Sequence, residues 1–287
     1  MTMRGIAAAA VLACCVAAVA APAPQAQLPA KPALSVQEII AKNVAARGGI
    51  EAWRKIETMA WAGHVQGATE STPPMAFVME LRRPNQTHFE IATADNRRFT
   101  RIFDGTKGWR VRPAGNGFPE LKAFSKEEVA FSRDEYVIDG PLVDYDAKGV
   151  AVKLAGLDEI EGRKAYLLEV TLPGGASRRV WVDAETFLDF RSDRPSTNPI
   201  TRGAPVSVYY GDFRPVDGVL IPHMIETRSS SGGGPAQTLV IDKVALNPPL
   251  PIEAFAKPRL PGPPRRHGAT VDARSPAAVP RTVQPAP

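Results

Sequence analysis

Acid–base, nucleophilic and metal chemistry draw mainly on histidine, cysteine and paired carboxylates, and this sequence offers few such arrangements. Its four histidines are His64, His88, His223 and His267. No two of them stand at H-x-x-x-H spacing, so no two can close on one metal ion from a single element. Both cysteines, Cys14 and Cys15, fall in an apolar N-terminal run. No G-x-S-x-G elbow, phosphate-binding loop or dinucleotide fingerprint occurs. Gly232-Gly233-Gly234 lacks the Lys-Ser/Thr that a phosphate loop needs and reads as a loop. Asp144 and Asp146 flank Tyr145 and would project to one side of an extended chain. Such a pair can serve as general acid and base, or can simply solvate a strand end before Lys148-Gly149. The sequence thus supplies no cofactor or metal signature, and its expectation is a binding protein rather than an enzyme.

The distinctive residues are apolar. Met59, Met75 and Met79 accompany Trp61, Phe77, Phe89, Phe99, Phe103 and Trp109 over the first strand-like runs. Methionine and aromatic side chains form adaptable surfaces for apolar ligands. They equally form ordinary cores, and periodicity alone does not separate the two. A wide, curved sheet with few helices leaves an interior that side chains do not fill, which favours a cavity lined by these nine residues.

The elements that would position them are mostly strands. From Lys148 to Arg191, Val150, Val152 and Leu154 alternate with other residues, as do Tyr166, Leu168 and Val170. Val180 with Val182, and Phe187, Leu188 and Phe190, make two further runs. Turns at Glu161-Gly162, Pro173-Gly174-Gly175 and Asp183–Thr186 separate them, which predicts a four-stranded antiparallel meander. Further runs lie at Met59–Val65, Met75–Leu81, Phe89–Ile91, Phe99–Phe103, Trp109–Val111, Val206–Tyr210, Ile221–Ile225 and Thr238–Leu246. Asp217-Gly218 is a type I′ hairpin signal. Ser35 with Glu38 and Ser125 with Glu128 are capping boxes opening two helices. In the first helix, Ile39, Ile40 and Val44 form one apolar stripe, ended by Gly48-Gly49; Ile50, Trp53 and Ile56 suggest a short second turn. The sum is a mainly β fold: an incomplete, unclosed antiparallel barrel or curved sheet of about eleven strands, with helices covering its mouth.

The ends differ from the middle. Residues 1–20 read as a secretory signal, with Arg4 before an apolar run and Ala18-Val19-Ala20 as the cleavage motif near Ala20. The run continues past Cys14, which argues against lipid attachment there. Residues 21–34 form a Pro/Ala linker, residues 35–258 the folded domain, and residues 259–287 a Pro/Arg/Ala-rich tail whose composition predicts disorder. Five tail arginines against Asp272 give +4, and Arg4 one more. Together these account for the formal net charge of +5, so the folded region is near neutral and no nucleic-acid partner is expected. Export places the protein in the periplasm.

The sequence resembles the LolA/LolB-like superfamily, in the branch of outer-membrane lipoprotein-sorting proteins. The resembling segments include SVQEIIAKNVAARGGIEAWRKIETM from Ser35, FVMELRRPNQTHFEI from Phe77, FDGTKGW from Phe103, RRVWVDAETFLDFR from Arg178, DFRPVDGVLIPHMIET from Asp212 and LNPPLPIEAFAKP from Leu246. The resemblance implies an incomplete barrel that holds acyl chains of lipoproteins or other lipids, with a membrane acceptor or envelope protein as partner. It also implies a helical lid, here Val36–Arg47, tied by a basic residue for which Arg47 and Arg101 qualify by position. Relatives of this fold also act as envelope interaction or stress-sensor modules and, rarely, as enzymes.

Overall fold

The computed structural model describes residues 34–67, 69, 71–114, 118–133, 135, 137–195, 205–229 and 236–260. The signal segment, nearly all of the linker, Gly232–Gly234 and nearly all of the C-terminal tail lie outside the described residues.

Alternating apolar residues build two antiparallel meanders. The first comprises β1 (Thr58–Val65), β2 (Met75–Arg82), β3 (Gln86–Ala92), β4 (Arg98–Phe103), β5 (Gly108–Pro113) and β6 (Pro119–Ala123). The second comprises β7 (Ala151–Ile160), β8 (Arg163–Thr171), β9 (Ser177–Asp183), β10 (Asp189–Pro195), β11 (Pro205–Val216), β12 (Val219–Ser229) and β13 (Gln237–Leu246). Pairing of β1 with β13 joins them into one 13-stranded sheet in the order β6-β5-β4-β3-β2-β1-β13-β12-β11-β10-β9-β8-β7. β6 and β7 are its two edges, each paired on one side only, so the curved sheet is open. The strand missing from the sequence pattern is β6: its short PELKA run carries a single large apolar residue, Leu121, and its pairing with β5 defines it. β10 starts later than its apolar run, because Phe187 takes φ +58° and belongs to the preceding turn. Asp217 and Gly218 have φ +43° and +91°, as the type I′ signal requires.

Both capping boxes form. The Ser35 amide donates to Glu38 at 2.8 Å and opens α1 (Val36–Ala46); the Ser125 amide donates to Glu128 at 2.9 Å and opens α3 (Lys126–Arg133). Between them, α2 (Ile50–Arg54) is one short turn. Gly48 ends α1 at φ +108°, and a Cβ there would stand 2.2 Å from the Gly218 carbonyl oxygen. Only glycine lets the end of α1 sit on the β11–β12 turn, where the Leu220 amide donates to the Arg47 carbonyl at 3.0 Å.

The main core lies between the inner sheet face, α1 and the turn-rich connection 137–149. Ile39, Ile40 and Val44 enter it with Trp53, Met59 and Leu142, each contributing about 1.5–3 kcal/mol by burial. A smaller cluster is formed by Val65, Phe77 and Ile241. No helix among the described residues is long and apolar enough to cross a membrane.

Candidate functional site

Strand register decides which side chains share the inner face, because directly paired residues project to the same side. Across the first meander, Trp61 pairs with Met79, Met79 with Phe89 and Phe89 with Arg101. One step along, Met59 pairs with Leu81 and Leu81 with Thr87. Across the second meander, Val180 pairs with Ser192, Ser192 with Val208 and Val208 with Thr227. A step further, Tyr210 pairs with Ile225 and Ile225 with Leu239.

All of these line one partly open cavity of about 410 Å³, a size within the range of ligand pockets. Its cover is the chain joining the two sheet edges: Phe124, Phe131 and Ser132 at α3, then Glu135, Val137, Ile138 and the Gly140–Leu142 turn.

The nine apolar residues singled out by sequence do not all reach this cavity. Met59, Trp61, Met79 and Phe89 line it. Phe77 is fully buried beside Val65 and Ile241, with its ring 5.8 Å from that of Phe89, and Met75 packs against the same cluster. Phe103 is buried and stacks on Phe124 at 6.5 Å. Phe99 is exposed. Trp109 pairs with Ile102 and so lies on the outer face.

Of the lid residues, Ile39, Ile40 and Val44 point into the main core, and only Arg47 lines the cavity. The Arg47 guanidinium donates to the Asp139 carbonyl at 3.0 Å and lies 4.5 Å over the Trp53 ring. Arg101, the other basic residue of interest, ties α3 instead: Glu128 accepts from it at 3.3 Å and from Arg110 at 2.9 Å.

The sequence pattern missed the polar wall of the cavity. Arg178 on β9 and Arg194 on β10 line it with Glu135, Asp189, Ser192 and Tyr210. Arg178 meets Glu135 at 3.3 Å. Arg194 lies 4.8 Å over the Phe131 ring. Burial pushes the Glu135 carboxyl up, yet the charges of Arg178 and Arg194 outweigh it and hold the group below its ordinary value, so it is ionised. Burial pushes the Tyr210 hydroxyl up, which keeps it a neutral donor. A signal existed: both arginines occupy inward positions of strands whose next inward residues are Val180 and Ser192.

Asp144 and Asp146 do not line the cavity. Asp144 accepts from Arg54 at 2.9 and 2.6 Å. His64 meets Asp242 at 3.2 Å, His88 meets Glu80 at 2.8 Å, and the buried His223 meets the Ile221 carbonyl at 3.0 Å. Among the described residues no three His, Cys, Asp or Glu side chains converge as a metal site.

No family model matches the sequence. No curated protein matches it either. Solved structures do. A LolA superfamily protein from Nitrosomonas europaea aligns with TM-score 0.51 and 16% identity over 78% of this chain and 99% of its own. A DUF1329 family protein from Desulfovibrio piger aligns with TM-score 0.49 and 12% identity over 77% of this chain and 97% of its own. A putative outer membrane lipoprotein-sorting protein domain from Vibrio parahaemolyticus aligns with TM-score 0.47 and 12% identity over 76% and 94%. With its two meanders joined at β1 and β13 and its open, curved sheet, this chain has the LolA-like fold.

Proposed function

We propose that the protein is an exported periplasmic carrier or receptor that holds an acyl chain, from a lipoprotein or another lipid, in the cavity between the sheet and α3. The observation that carries this reading is the apolar ladder Trp61–Met79–Phe89 on the floor of a cavity of about 410 Å³. Each methylene transferred there from water gains about 0.8 kcal/mol, so chain length sets affinity. The LolA-like fold supports the reading.

Entry requires the cover to move. α1 buries three large apolar residues, whereas the only fully buried residue of α3 is Glu128. Elements with few buried apolar contacts open at the lowest cost, so α3 and the connection after it form the lid in this proposal, and α1 stays docked. A membrane acceptor or envelope protein would then receive the cargo.

The test is titration of the purified protein with a fluorescent fatty acid, alongside native mass spectrometry of protein taken from an exporting host. Phe89→Ala should weaken binding about tenfold, the equivalent of one or two lost methylenes, while the melting temperature moves little. Phe77→Ala is the contrasting control, because Phe77 sits in a packed cluster and its truncation costs about 3–5 kcal/mol of stability. A protein that takes up no chain, or a Phe89→Ala variant that binds as wild type, overturns the proposal.

A further inference from the structure

The cavity is not uniformly apolar. Arg47, Arg101, Arg178 and Arg194 line it against only Glu135 and Asp189. Arg47 stands 3.8 Å from Asp189, and Arg101 shares Glu128 with Arg110. On the β9–β10 wall, Arg178 has only 9% of its side chain exposed and is paired with Glu135. The Arg194 side chain, on the neighbouring strand, stacks on Phe131 and makes no hydrogen bond or ion pair among the described residues. Its charge still acts on Glu135. Two guanidiniums thus face one carboxylate beside an apolar floor. A net positive charge next to apolar surface is costly to leave without a counter-charge. Guanidinium groups present planar, forked donors that match carboxylate and phosphate oxygens. The neutral Tyr210 hydroxyl and the Ser192 hydroxyl line the same wall and add donors.

We infer that Arg178 and Arg194 form a headgroup subsite, and that the preferred ligand is an anionic amphiphile: an acyl chain ending in a carboxylate or phosphate. This rests on the carrier reading above and names its ligand class. The tail lies along Trp61, Met79 and Phe89, and the anion takes the place of Glu135 against Arg178. Displacing Glu135 frees the end of α3, so recognition of the head and loosening of the lid are one event.

The experiment compares ligands with matched chains by displacement of a fluorescent fatty acid from the purified protein: dodecanoic acid against dodecanol, and lysophosphatidylglycerol against the corresponding monoacylglycerol. The acid and the phosphate ester should each bind about 10–100-fold more tightly than their neutral partners, the span of a charge-assisted hydrogen bond. The two pairs show whether carboxylate, phosphate or both are accepted. Arg194→Gln should abolish most of the preference, weakening the two anions far more than dodecanol. Glu135→Gln should change it in the opposite sense, tightening the anions, because it removes the competitor for Arg178. Equal affinity for charged and neutral partners, or a preference untouched by Arg194→Gln, overturns the subsite while leaving the carrier reading intact. Failure of dodecanol and the anions alike to bind overturns both.

Discussion

At the scale of single residues, the cover of the cavity depends on a few buried charges. Asp139 is buried, accepts from Arg83 at 2.7 Å and from Lys148 at 2.7 Å, and its carbonyl accepts from Arg47. Arg83 also donates to the carbonyls of Ile56 and Trp53 at 2.6 and 2.9 Å. The Asp139 backbone carbonyl therefore ties the end of α1 to the connection before β7, while the ends of α2 and β2 are fixed there, through Arg83, by its carboxylate. Removing it leaves two cations in a poorly solvated site, which costs about 3–5 kcal/mol when both are buried. Arg83 retains 23% side-chain exposure, so Asp139→Asn should cost about 3 kcal/mol, at the lower end of that range. Urea unfolding followed by tryptophan fluorescence measures it, and an unchanged midpoint would show that the cluster does not hold the fold. Glu128 plays the matching role at the start of α3, where it serves both Arg101 and Arg110 and caps the helix.

At the scale of elements, the helices divide between anchor and cover. α1 is held by apolar burial and by the fully buried Asn43, whose amide donates to Phe187 and Asp189 at 2.8 and 3.0 Å. α3 buries no apolar residue fully and is held by Glu128 at its start, by the Arg194 guanidinium over Phe131, by the Arg133 carbonyl at its end, which accepts from Asn85 at 2.7 Å, and by the Arg178–Glu135 pair just beyond it. α2 is pinned by the Arg54–Asp144 pair, which makes that contact sensitive to acid. The hydrogen bond from Arg54 holds the Asp144 carboxyl below its ordinary value. A depressed folded-state value means that the added stability is present above the unfolded value of about 3.9 and is lost as pH falls through the folded one. Asp144 adopts φ +52°, which asparagine tolerates, so Asp144→Asn isolates the charge. The variant should be less stable than wild type at pH 7 by under about 1 kcal/mol, because Arg54 is half exposed. The two denaturation midpoints should draw together as pH falls below about 5, through the unfolded value and then the folded one. A gap that does not narrow as pH falls would show that charge is not what the residue contributes.

At the scale of the whole molecule, the fold closes through one pairing between distant parts of the chain. β1 meets β13 from Met59 against Leu246 to Val65 against Leu239, with a bulge after Ala62. Gly63 sits at that bulge, and a Cβ there would lie 2.0 Å from the Val240 carbonyl oxygen. This join carries the inner face from one meander to the other and makes one cavity out of two half-walls. The edges are unlike the centre: β6 has a single partner strand and no buried residue, whereas β1 and β13 are paired on both sides. Hydrogen exchange should therefore be fastest in the β6 amides and slowest in β1 and β13, since local opening follows burial and pairing. Exchange of β1 as fast as β6 would mean that the two meanders open independently.

The sequence by itself determined what is local. Two-residue alternation gave most strands, Asp217-Gly218 gave its hairpin, and the Ser35–Glu38 and Ser125–Glu128 boxes gave the two longer helices. The capped, apolar-striped helix and the resembling segments pointed to the LolA-like fold that the tertiary structure has. Tertiary structure alone decided the cavity. Alternation puts Met59, Trp61, Met79 and Phe77 on one face, but the curvature of the sheet and what packs above it leave three of them lining space and seal Phe77 in a cluster. Pairing with Ile102 turns Trp109 outward, and pairing with β5 alone makes a strand of Pro119–Ala123. Arg178 and Arg194 look like surface charges in the sequence. They face the cavity because the closure of β1 on β13 and the path of α3 enclose the face they occupy, and both follow from contacts between residues far apart in the chain, which no local period encodes.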